Sequence, residues 1–108
     1  MLTLLSIEFP FPGPFGARLS EEMQDLAASI AEESGLIWKI WTESPDDKRA
    51  GGIYLFRDRV AARRYEKMHS ARLSDLGMKG IRIKYFQVNE GLTSVTRGPL
   101  GFQALATY

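Results

Sequence analysis

The chain has no cysteine, one histidine and almost no net charge, with Lys+Arg 14 against Asp+Glu 13. The missing thiols exclude disulfides, thiolate catalysis and cysteine-ligated metals, and they fit a reducing compartment. With one histidine, a side-chain transition-metal site would have to be mostly carboxylate. No carboxylate cluster stands at ligand spacing, so no bound metal is expected. The balanced charge leaves no electrostatic footprint for nucleic acid or an anionic membrane. There is no apolar run long enough to span a bilayer. The opening MLTLLSIEFPFPG lacks a basic start, carries Glu8 within its apolar run and ends in prolines, which makes it a poor signal peptide. These absences predict a soluble, cytoplasmic protein. Also missing are a GxGxxG or P-loop pattern, a G-x-S-x-G elbow and the aromatic strand signature of RNA-recognition domains, so no cofactor and no nucleic-acid partner is expected.

What is present begins with two consecutive apolar strands, GLIWKIWTES and AGGIYLF, within Gly35 to Phe56. Strict alternation sends Trp38, Ile40 and Thr42 to one face and Ile37, Lys39, Trp41 and Glu43 to the other, so each face receives an indole. In the second strand Ile53 and Leu55 oppose Tyr54 and Phe56. A sheet wetted on one side would alternate apolar with polar residues, so these strands require cover on both faces. Leu2 to Phe9 reads as an earlier strand, ended by the rigid loop PFPGPFG. From about Ala17 to Ser34, Leu19, Met23, Leu26 and Ile30 form one helical stripe that Gly35 stops. Asp58 can cap a second helix carrying Tyr65, His69 and Leu73 inward and ending at Gly77. Lys79 to Val88 returns to strand character. The Gly51-Gly52 pair reads as a bulge or a close backbone approach.

The order βαββαβ is the ferredoxin-like pattern of an α+β domain, an antiparallel four-stranded sheet with both helices on one face. The uncovered face predicts a homodimer in which two sheets close into a dimeric α+β barrel. Residues 1–108 are read as a single domain. Residues 90–108, with Leu92, Val95, Leu100, Phe102 and Leu105 broken by glycines and Pro99, are read as an extended C-terminal arm lying against the partner.

The candidate chemistry centres on His69. It shares a helix face with Tyr65, and Arg72 follows three residues on, so the two polar groups can frame the end of an aromatic cavity. In that reading Trp38 or Trp41, Tyr54 and Tyr65 line a pocket for a small aromatic molecule, Phe15 sits in the loop at its mouth, His69 is the catalytic base and Arg72 stabilises an enolate. The alternative is that the aromatics are core and dimer interface only, with His69 a satisfied structural residue and Arg72 a solvated one.

GPFG at Gly13 to Gly16, LIWKIWTES, AGGIYLF, the stretch through His69, Ala71, Arg72 and Leu73, and VNE at Val88 to Glu90 together resemble the YdhR-like monooxygenases. These are small proteins of the dimeric α+β barrel superfamily, and the likeness runs from about Leu4 to Leu92. It implies a homodimer with one pocket per subunit. It also implies oxygenation of small or polycyclic aromatics (phenols, anthrones or quinols) without metal or flavin. A non-catalytic binder of small aromatics and a purely structural dimer are the competing functions.

Overall fold

A computed structural model describes residues 1–101. The elements are β1 (Thr3–Pro10), α1 (Ala17–Glu22), α2 (Gln24–Ala31), β2 (Leu36–Ser44), β3 (Arg49–Phe56), α3 (Arg59–Asp75), β4 (Arg82–Gln87) and α4 (Glu90–Val95). The sheet order is β2-β3-β1-β4 with every pairing antiparallel, which is the ferredoxin-like arrangement expected from the sequence. Alternation sends Leu5 and Ile7 of β1 and Tyr54 and Phe56 of β3 into the core beneath the helices, where Ile30, Ala62, Tyr65 and Leu73 meet them. Asp58 caps α3 as its sequence implies, its Oδ1 accepting from the Ala61 N–H at 2.8 Å. Gly77, at φ 88°, directly follows the Leu76 cap of α3, whereas α2 ends at Ala31, before the expected stop, and Gly35, at φ 84°, lies in the turn into β2.

The predicted first helix is two pieces. The apolar stripe runs on through Met23, but the backbone breaks there, at φ −100° and ψ 8°. The Gln24 side-chain Nε2 donates to the Ser20 carbonyl at 2.9 Å, taking the acceptor that the Gln24 N–H would use in an unbroken helix.

Strict alternation also fails at the start of β2. The register steps from Leu36 opposite Phe56 to Trp38 opposite Leu55, leaving Ile37 as an extra residue in a bulge. Ile37 therefore joins Trp38 on the outer face rather than Lys39 and Trp41 on the inner one, and both pack against Leu2, Leu55 and Leu100.

The expected extended arm is corrected over its first part. Glu90–Val95 is helical, because Asn89 Oδ1 accepts from the Leu92 N–H at 3.1 Å and outweighs the disfavoured Gly91. The chain then folds onto its own sheet: Leu100 is 3% exposed, and the Trp38 Nε1–H donates to the Pro99 carbonyl at 2.7 Å. The stretch carrying Phe102 and Leu105 lies outside the described residues. Among the described residues no helix is long and apolar enough to cross a membrane.

Candidate active site

Between the inner face of the sheet and the helices lies an apolar cavity of about 80 Å³. Ile7 and Phe9 of β1 and Trp41 and Tyr54 form its floor, Leu19, Met23 and Leu26 form one wall, and His69 and Leu73 of α3 form another. Phe11 closes it from the loop after β1. Phe15 does not line it but packs edge-on behind Phe11, with centroids 5.6 Å apart. The loop is tied to the sheet where the Gly16 N–H donates to Glu43 Oε1 at 3.0 Å. Trp41 is shared with two more open clefts of about 260 and 230 Å³, so this one indole partitions the space beneath the helices.

The structure separates the two tryptophans offered by the sequence. Trp41 lines the cavity, whereas Trp38 faces the opposite side of the sheet. Tyr65 stands one layer deeper, 2% exposed, with its hydroxyl donating to the Tyr54 hydroxyl at 3.3 Å and its ring 5.0 Å from that of Tyr54. Burial raises both phenols; that of Tyr65 is pushed up to about 12.

His69 and Arg72 meet as their three-residue spacing implies. Arg72 Nη2 and Nε approach His69 Nδ1 at 2.8 and 3.2 Å. A guanidinium only donates, so Nδ1 must accept and the remaining proton of the neutral ring sits on Nε2. His69 is 3% exposed and stacks on Tyr65 at 5.1 Å. Burial, then the charges of Arg72 and Lys39, hold its pKa down at about 3. A ring in this state is a neutral hydrogen-bond donor and a weak base.

Sequence reasoning missed Lys39, which was placed on the inner face without a role. It extends across the cavity wall, its Nζ 3.4 Å from the Trp41 ring centroid and 4.7 Å from that of Tyr54. The signal was available, since a lysine between Ile37 and Trp41 on an inward face has to be explained. Among the described residues, no group of three or more His, Asp or Glu side chains is placed to hold a metal.

The unfolded chain binds the His69 proton at an ordinary pKa near 6.5, whereas the folded chain binds it only near 3. Stability is therefore complete above the unfolded value and is lost as pH falls from there toward the folded one. Thermal melts should show the midpoint falling by on the order of 10 °C between pH 6.5 and 4.5, with a shallower fall in His69→Gln.

Solved structures of similar fold include a mutant of SnoaB from Streptomyces nogalater, described as a cofactor-independent oxygenase. It is 17% identical, with TM-score 0.58, over 82% of this chain and 93% of that one. Rv0793 from Mycobacterium tuberculosis is 14% identical, with TM-score 0.59, over 82% of this chain and 95% of that one. Identities this low establish the shared fold and nothing finer. No curated protein matches the sequence. The model of the family described as "Putative mono-oxygenase ydhR" matches residues 4–99, nearly the whole chain, and the protein belongs to that family.

Proposed function

We propose that the protein is a cofactor-independent monooxygenase of small phenolic or quinol-type aromatics, working as a homodimer with one pocket per subunit. The observation that carries this reading is the cavity itself, walled by Phe9, Phe11, Trp41 and Tyr54 and given a polar end by His69 and Lys39. Apolar walls with a few convergent polar groups are the usual form of a site that orients one ring and one oxygen. The cavity of about 80 Å³ is smaller than the roughly 150 Å³ known to admit benzene, so a ligand displaces side chains such as Met23 or extends toward the adjoining clefts. A single phenolic ring at the polar end, with any further ring toward the mouth, fits these dimensions better than a fully enclosed polycycle.

In this reading the neutral His69 donates a hydrogen bond to the substrate oxygen and strengthens it as charge develops, and Arg72 fixes the histidine tautomer. Loss of a proton makes the substrate electron-rich. It gives one electron to dioxygen, the radical pair recombines at carbon to a peroxide anion, and that anion takes back the proton first removed to become a hydroperoxide. Loss of water then leaves a new carbonyl, with one oxygen atom in the product and the other in water.

Oxygen uptake tests this, using a panel of hydroquinones, naphthols and anthrones with protein stripped of metal and flavin. Turnover is expected with at least one, and His69→Ala should lower it by on the order of 10²-fold. Tight binding without oxygen consumption would replace the enzyme with a carrier of small aromatics.

A further inference from the structure

Alternation along β2 turns Lys39 inward between the bulge at Ile37 and Trp41, beside the apolar cavity, while Glu43 further along the same face accepts the Gly16 N–H instead. Its stem lies over Gly52 of the neighbouring strand, where a β-carbon would come within 2.5 Å of Lys39 Cε and 3.3 Å of Nζ. The glycine therefore creates the groove in which the lysine lies. Among the described residues the ion pairs are Arg18–Glu22, Arg49–Glu8 and Arg82–Glu8, and none reaches Lys39.

The groups facing Lys39 are accounted for from each element. Tyr54 comes from β3, the neutral His69 and the cationic Arg72 from α3, and Trp41 from its own strand. The remaining wall is apolar, contributed by α1, α2 and β1. Among the described residues, the two cationic side chains Lys39 and Arg72 thus stand beside an apolar cavity with no ion pair to either. Such a site either holds an anion or sheds a proton.

We propose that Lys39 is the proton acceptor of this pocket, and that the ligand is an acidic phenol or enol held there as its anion against the resulting ammonium. The proposal rests on the aromatic-pocket reading above. The amine lone pair takes the hydroxyl proton, the O–H bond breaks with its electron pair remaining on oxygen, and an ammonium–phenolate pair is left with no other reactant required. Burial first, then the Arg72 charge, lowers the lysine pKa from 10.5 to about 7, so the free amine is populated at neutral pH. His69 has its Nδ1 lone pair occupied by Arg72 and is the poorer acceptor. The two roles then divide, with lysine taking the proton and histidine holding the oxygen.

Two measurements decide it. In the parent protein alone, the ¹⁵N resonance of the Lys39 Nζ, assigned by its absence from the spectrum of Lys39→Met, should titrate near pH 7. A Lys39 resonance titrating at the ordinary lysine value would overturn the assignment. A single-ring nitrophenol, whose anion is coloured, supplies the second readout. Bound to the parent it should ionise at least one pH unit below its free value; bound to Lys39→Met it should ionise at or above that value. Equal ionisation in parent and Lys39→Met overturns the role of Lys39 while leaving the pocket standing. Failure of nitrophenol to bind the parent at all overturns the pocket reading, and the proposal with it.

Discussion

Gly51→Ala is expected to lower the thermal unfolding midpoint by about 12 °C or more, corresponding to roughly 3 kcal/mol, while Gly52→Ala beside it leaves folding within about 1 kcal/mol of the parent. The two glycines are sequence neighbours on β3, but their missing β-carbons point to opposite faces. A β-carbon on Gly51 would fall onto the Ile7 carbonyl oxygen and the Glu8 Cα of β1, which are backbone atoms within a paired strand and cannot move independently. On Gly52 it would meet the flexible end of Lys39, which can swing aside, and stand 3.2 Å from Tyr54 Cε1, a ring that has to give by only a few tenths of an ångström. The first substitution tests the fold and the second tests the pocket. In Gly52→Ala the altered property should be the lysine titration. Melts showing Gly51→Ala within about 1 kcal/mol of the parent would contradict the close approach of β1 to β3.

Double substitution of Ile40 and Phe86 by lysine should weaken dimerisation by at least about 10²-fold and leave a folded monomer. Both side chains stand on the sheet face away from α1–α3, 54% and 45% exposed in a single chain, with Leu4 and Ile53 only partly covered beside them. A second copy is the economical cover for such a face, and an interface of roughly 1,600 Å² or more is expected. Arg49 points the same way. Its Nε and Nη2 are buried without hydrogen-bond partners, although Nη2 lies 3.3 Å from Glu8 Oε1 as an ion pair. Acceptors from a partner would complete it. Sedimentation equilibrium at micromolar concentration measures both proteins, and a monomeric parent would remove the barrel.

Much of the fold could be read from the sequence because its periodicities are clean and its punctuation is chemical. Asp58 caps a helix and Gly77 follows the end of one, each for a reason that depends on no distant residue. The failures share a different cause. The break at Met23 is hidden because the apolar stripe continues across it, and only a side-chain hydrogen bond from Gln24 reveals it. The bulge at Ile37 falls in a run that is apolar on both faces, where a one-residue slip changes no polarity. In the site, the His69–Arg72 contact follows from helical spacing alone. The role of Trp38 turned on which face of the sheet carries the helices, and Lys39 becomes notable only once Gly52 and Trp41 are seen to hold it.

The break at Met23 also divides the wall of the cavity into parts of unequal anchorage. α2 is fastened by Ile30, which is 2% exposed in the core, whereas the six residues of α1 include none that is buried. Local opening of such a segment requires little apolar surface to be given up, so its free energy lies far below that of unfolding the sheet. Backbone amides of α1 are thereby set to exchange with solvent faster than those of α2, even though one helical stripe runs through both. Leu19 stands on the looser piece and Leu26 on the firmer one. Ligand entry past Leu19 is therefore expected to follow the local stability of α1 and not the stability of the domain.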